Sequence, residues 1–318
     1  MSDFVFATCL PGLEPGLKRD VGRNRPALRF AYSRPGLITF KSETSIAAED
    51  PPATAFARVW GRSLGPARTP EDAALQLGYI GATRVHVFVR DLDVETDLAP
   101  WRAAMTLPEG TAEAGELVAD VIVAAGEPAW LGVHRADDAH LPFAGGVIPV
   151  VIPDDAPSRA FGKIEEAIVW AHLPVEAGQV ALEIGCAPGG AMLALARRGL
   201  EVWGVDTADV APQVLALPGV HHLRQKVGAV RWEDLPPRVD WLLLDVNLAP
   251  QVALHEVARL MPRLRATLRG AVFTLKLNDW TFVDKLPELA DRIRAMGFAD
   301  VRMRHLPSNR REIAVVAR

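Results

Sequence analysis

The chain has 318 residues, 49% of them hydrophobic, with a formal charge of −4 and two cysteines. That is enough apolar material for two globular domains. The charge balance excludes a nucleic-acid binder working through an overall basic field, and Cys9 and Cys186 are too few for a disulfide framework or a thiolate zinc site. The eight histidines show no metal-ligand spacing along the chain, so no metal is expected. The opening stretch "MSDFVFATCLPG" lacks a basic leader, and no apolar run is long enough to span a bilayer. A cytoplasmic protein without a membrane partner is expected.

Residues 1–150 read as a mixed α+β region. The expected strands are "FVFATC", "LITFK", "RVHVFVR", "LVADVIVAA" and "AWLGVHR", and an amphipathic helix is expected over "PATAFARVWGRSLG", residues 52–65. No nucleophile–base pair stands out here, which suits a docking region. "IPVVIPDDAPSRAF" is Pro-rich and acidic and marks a boundary, making residues 151–318 the second domain.

Beyond it, "SRAFGKIEEAIVWAHL" reads as a helix with Ser158 as N-cap and Phe161, Ile164, Ala167, Ile168 and Ala171 on one face. Short apolar strands then alternate with helices: "QVALEIG", "EVWGVD", "VHHLRQ", "DWLLLDV" and "AVFTLKL". Such continuous apolar strands imply a parallel sheet covered on both faces. "ADVRMRHL" and "EIAVVAR" are separated by "PSNRR", too short for a crossover, so the last strand runs antiparallel. Arg302, Arg304, Arg310 and Arg311 cluster there as a candidate phosphate-facing patch, with a solvated surface as the plainer reading.

The loop "LEIGCAPGGAM", residues 182–192, joins a strand to a helix. Gly185 suits a tight turn, while Gly189 and Gly190 let backbone approach a ligand at a helix start. The dinucleotide pattern G-x-G-x-x-G fails at Ala187. Pro188 stiffens the loop, Glu183 precedes its first glycine by two, and Cys186 serves as a small spacer. Asp206 ends the next strand, where a carboxylate accepts ribose hydroxyls. A ligand with a ribose but no pyrophosphate, S-adenosylmethionine (SAM), fits this combination.

Only six of the 35 basic residues are lysines, and one of them, Lys276, sits inside a core strand. Burying an ammonium is costly unless it is paired or deprotonated. Asp245 ends one strand at the same edge, Glu312 begins the returning strand, and Lys163 lies on the preceding helix. Desolvation and repulsion from Lys163 are expected to lower the Lys276 pKa, as a general base requires, while Asp245 pulls the other way and orients the lysine.

These residues resemble the FtsJ family of ribose 2′-O methyltransferases, which use a Lys-Asp-Lys-Glu tetrad. The family's entry motif appears as "SRAFGKIEEA" and its loop as "APGG". The resemblance implies an α/β fold: a Rossmann-like SAM-methyltransferase sheet with an antiparallel last strand, preceded by an α+β THUMP-type domain. It also implies Lys163, Asp245, Lys276 and Glu312 as catalytic residues, with Lys276 the base. SAM would be held by Ser158, Glu183, Gly185, Ala187, Pro188, Gly189, Gly190, Asp206 and Asp245. The stretches "LPGLEPGLKRDVGR", "LRFAYSRPGLITFK" and "FARVWGRSLG" resemble the N-terminal region of those members that methylate a cytidine ribose of 23S rRNA. Three positions depart from the family pattern: Glu183 for Asp, Ala191 for an aromatic, and Lys226 where an acid faces the adenine. The rival readings are a methyltransferase for a small molecule or protein, an RNA-binding protein with a degenerate SAM fold, and, weakest because of Ala187, a dinucleotide oxidoreductase.

Overall fold

The protein is described here by a computed structural model that covers residues 3–44, 54–277 and 279–318. It forms two compact units, Met1–Pro149 and Val150–Arg318. No helix among the described residues is long and apolar enough to cross a membrane.

In chain order the first unit contains β1 (Asp3–Thr8), α1 (Glu14–Asn24), β2 (Arg29–Arg34), β3 (Leu37–Ser42), β4 (Trp60–Ala67), α2 (Pro70–Leu77), β5 (Arg84–Val89), α3 (Ala99–Ala104), β6 (Leu117–Val123) and β7 (Ala129–Arg135). The strands form one sheet in the order β2-β3-β1-β4-β7-β6-β5. Only β5 and β6 pair in parallel. Thr69 caps α2 by accepting from Asp72 N at 3.2 Å. Ala73 and Leu77 of that helix join Val85, Val87, Val121 and Leu131 in one apolar cluster, with Trp101 of α3 packed against it.

The helix expected over 52–65 is not found. Residues 52 and 53 lie outside the described residues, and Trp60–Ala67 is a strand between β1 and β7. The strand alternation is masked by Gly61, Gly65 and Pro66 and by a bulge between Ser63 and Gly65. Gly61 fixes the close approach to β7, since a Cβ there would meet the Val133 carbonyl oxygen at 2.3 Å.

The second unit runs α4 (Ala160–Ala171), β8 (Val180–Ile184), α5 (Gly190–Arg197), β9 (Glu201–Asp206), α6 (Pro212–Leu215), β10 (Val220–Arg224), β11 (Trp241–Leu244), α7 (Pro250–Leu264), β12 (Gly270–Lys276), α8 (Leu286–Ala295), β13 (Val301–Arg304) and β14 (Glu312–Ala317). Its sheet has the order β10-β9-β8-β11-β12-β14-β13. The pairs from β10 to β12 are parallel, and β14 is antiparallel to both neighbours. Chain order reverses between β8 and β11, and in such sheets ligands bind beyond the strand carboxyl ends at that reversal. This is the doubly wound, Rossmann-like arrangement. All five residues expected on the inner face of α4 are buried. The helix itself begins one residue later than the sequence implies. Arg159 occupies the N-cap, and Ser158 Oγ accepts from Ala160 N at 3.3 Å.

Candidate active site

Four charged side chains meet at the carboxyl edge of the second sheet. Lys276 is the last residue of β12 and pairs in register with Glu312, the first of β14. Asp245 follows β11, its N–H donating to the Ile184 carbonyl at 2.9 Å. Lys163 comes from the first turn of α4. Lys163 Nζ donates to Asp245 Oδ2 at 2.8 Å and lies 2.5 Å from Glu312 Oε2, an ion pair rather than a well-directed hydrogen bond. Lys276 Nζ donates to Asp245 Oδ1 at 3.0 Å and to Glu312 Oε1 at 2.5 Å. Charges therefore alternate around a closed ring in which each cation touches both anions. The side chains are 12–19% exposed, so the ring is desolvated enough for its pairings to be strong and still open to a ligand.

The electrostatics correct one expectation. Burial does oppose the Lys276 charge, but Asp245 and Glu312 outweigh it through their fields and hydrogen bonds, and the amine is raised above its ordinary value. Burial likewise opposes the Glu312 carboxylate, and its pairing with the Lys163 and Lys276 ammonium groups overrides it, holding that pKa below its ordinary value. In this state Lys276 is a firmly held ammonium.

Beside the ring lies a cleft of ≈ 780 Å³, within the size range of small-molecule sites. Gly185, Ala187, Asp206 and Asp245 line it. Gly185 has φ +85°, and a Cβ there would meet the Asp245 carbonyl oxygen at 2.4 Å, so only glycine lets β8 and β11 converge at this point. The Ala187–Pro188 peptide is cis. Asp206 holds the loop by accepting from Ala187 N at 3.0 Å and from Ala208 N at 2.9 Å. Each of its oxygens keeps a lone pair for a ligand hydroxyl.

The other expected cofactor residues lie elsewhere. Pro188 is exposed, Gly189 starts α5 at φ +106°, and Gly190 packs against Ser158, where a Cβ would come 2.3 Å from its Oγ. Ser158, Pro188, Gly189 and Gly190 shape the loop without lining the cleft. Glu183 is 1% exposed and faces a separate small cavity shared with Lys163, Asp245 and Thr274. Its Oε2 has no hydrogen-bond partner among the described residues. Burial, then Asp245 and Asp206, push its pKa well above the ordinary range, favouring the neutral acid. Cys186 is buried, with its thiol against Gly204, and burial raises its pKa.

Asn247 and Glu256 also line the cleft and carried no motif that pointed to them. Lys226 lines it as well. Outside the ring, two carboxylates, Asp206 and Glu256, thus share the cleft lining with one ammonium, Lys226, a balance that suits a cationic ligand. The arginine patch is only partly available. Arg302 donates to the Ala171 carbonyl at 3.0 Å and pairs with Asp300 at 3.2 Å, and Arg304 is buried. Arg310 and Arg311 are exposed.

No family model matches the chain. Among curated proteins it is similar to "Ribosomal RNA large subunit methyltransferase M" of Thauera aminoaromatica, 31% identical over 215 residues, covering 64% of this chain and 57% of that one. The protein of the same name from Halorhodospira halophila is 37% identical over 183 residues, covering 55% and 51%. The chain spans about half the length of these relatives. A 1,6-didemethyltoxoflavin-N1-methyltransferase structure from Burkholderia thailandensis matches at 22% identity and TM-score 0.38, covering 52% of this chain and 79% of that one. At that level the likeness carries no weight for function.

Proposed function

We propose, from the likeness to the large-subunit rRNA methyltransferases and from the charge ring, that this chain transfers a methyl group from SAM to a ribose 2′-hydroxyl of RNA, at a cytidine of 23S rRNA. The observation that carries the reading is the closed Lys163–Asp245–Lys276–Glu312 ring, which shares Asp245 with a cleft whose carboxylates outnumber its cations. When bound, SAM supplies an electrophilic methyl on a sulfonium. Asp206 would accept its ribose hydroxyls, and the Gly185–Ala187 backbone would leave room for it. The residues that line the cleft fit such a group in charge and in size.

The ring has a clear chemical task. A ribose hydroxyl is a weak nucleophile until a base takes its proton, and Lys276 is the group at hand. Its raised pKa means that it must first give up its own proton to solvent, a loss that Asp245 and Glu312 oppose. With a cationic group held beside it, Asp245 would stabilise the Lys276 ammonium less, and Lys163 would add repulsion, both favouring the neutral amine. Glu312 then orients both amines. Unit 1 is read as the THUMP-type RNA-docking region.

Nucleoside mass spectrometry of 23S rRNA incubated with the purified chain and SAM tests this. A single new 2′-O-methylcytidine is expected, and methylation on a base alone would overturn the ribose assignment. The firmly held Lys276 ammonium favours one second reading, an RNA-binding protein that keeps the fold without transferring a methyl. SAM binding by calorimetry with no transfer to any rRNA fragment would select it.

A further inference from the structure

In unit 1, three neighbouring strands each bury one polar residue on the same face of the sheet. They are His86 in β5, Asp120 in β6 and His134 in β7. His86 and Asp120 are register partners. His134 stands two residues from Gly132, which is the partner of Asp120. The neighbours Val85, Val87, Ala119 and Val121 alternate to the opposite face and join the apolar cluster there. The three polar side chains are 1%, 0% and 2% exposed.

Their hydrogen bonds leave a gap. His86 Nε2 donates to the Gly110 carbonyl at 2.9 Å, which makes Nδ1 the acceptor nitrogen of a neutral ring. Nδ1 has no partner among the described residues. Asp120 Oδ2 accepts from His134 Nδ1 at 2.6 Å, and Asp120 Oδ1 again has no partner. Two buried acceptors, one on a carboxylate, thus lack a donor. His140 stacks on His134 at 4.5 Å between ring centres but cannot supply one, because its nitrogens are committed to Asp137 and the Trp60 carbonyl. Arg84 is committed to Glu116 and the Glu109 carbonyl. Unsatisfied acceptors this deep are rare and ask for a cation, a proton or a water.

We propose that His86, Asp120 and His134 bind one divalent transition-metal ion of the zinc class, which ties β5, β6 and β7 together. One ligand atom from each residue lies within 4.8 Å of the others. Ligand bonds of ~2.0–2.2 Å require only a small closure from that spacing. Two imidazoles and a carboxylate select zinc, cobalt or nickel over magnesium or calcium. The His86 N–H held by a backbone carbonyl is the outer partner that fixes the ring of a metal-binding histidine. The chain spacing of 34 and 14 residues gave no sign of this, because the ligands meet only through strand pairing.

The test uses the full chain and does not depend on methyl transfer. The metal-free protein is titrated with Co²⁺, followed by its visible absorption, and zinc content is measured after desalting from excess Zn²⁺. One equivalent is expected, with the thermal midpoint raised by zinc and lowered by a chelator. Asp120→Asn and His86→Gln are expected to weaken binding by more than the ~10–100-fold typical of losing an outer partner. Absence of stoichiometric uptake by the unsubstituted chain would overturn the site and leave a buried water or proton there. Full uptake by a folded Asp120→Asn would overturn it as well. If neither variant folds, the stoichiometry and cobalt spectrum of the unsubstituted chain decide.

Discussion

At neutral pH the Lys276 amine is held by two carboxylates, so a structural ammonium and a catalytic base make different predictions for its replacement. Lys276→Arg keeps the charge and the ring but cannot lose a proton. It is expected to fold normally, bind SAM and lose ~10²–10⁴ in transfer rate, the span of general-base contributions. Normal rates in Lys276→Arg would rule the base out. The ring also sets a pH dependence. Glu312 is lowered on folding, so its pairings stabilise the fold above its ordinary 4.5 and are lost as pH falls through the folded value. Lys276 is raised, so its share is complete below 10.5 and fades as pH rises through the folded value. Lys276→Ala should therefore lower the urea midpoint at pH 7 and differ much less from the unsubstituted chain in acid. Glu183 behaves in the opposite sense for an acid. Its raised pKa means that stability declines as pH rises above 4.5, by about 1.4 kcal/mol per unit of elevation at most. Glu183→Gln is expected to raise the urea midpoint at pH 7, with the gain closing toward pH 4.5. An unchanged midpoint at both pH values would show that Glu183 is solvated as a carboxylate.

Between elements, one tight constraint is the seat of α5 on the residues that lead into α4. A Cβ on Gly190 would lie 2.3 Å from Ser158 Oγ and 2.7 Å from the Ser158 carbonyl oxygen. Gly190→Ala should destabilise the chain by ~1–3 kcal/mol, as overpacking does. Adding Ser158→Ala should recover only part of that, because the carbonyl clash stays. Full recovery in a denaturation series would place the conflict at the hydroxyl alone. The central strands of the second sheet, β8, β11, β12 and β14, were legible because each is a largely apolar run bracketed by turns, and β14 was readable as antiparallel from the short connection before it. The charge ring was legible in part, since strand ends could be placed without knowing contacts. The net sign of the Lys276 shift was not, because it depends on both carboxylates coming within hydrogen-bonding reach of one amine. In the first unit, β4 was hidden by its glycines and its bulge.

At the scale of the whole chain, the two compact units allow a division of labour to be tested. Residues 150–318 expressed alone are expected to fold cooperatively and bind SAM with the affinity of the full chain, while 23S rRNA methylation falls sharply. Equal methylation by the fragment would remove unit 1 from substrate docking. Cys186 offers a further readout of the second unit. Buried within the glycine-rich loop against Gly204, with its proton held tightly, the sulfur can meet an alkylating reagent only when that loop lifts from the sheet. In a Cys9→Ser background its labelling rate therefore clocks spontaneous opening of the cleft wall, and saturating nucleoside ligand should slow that clock.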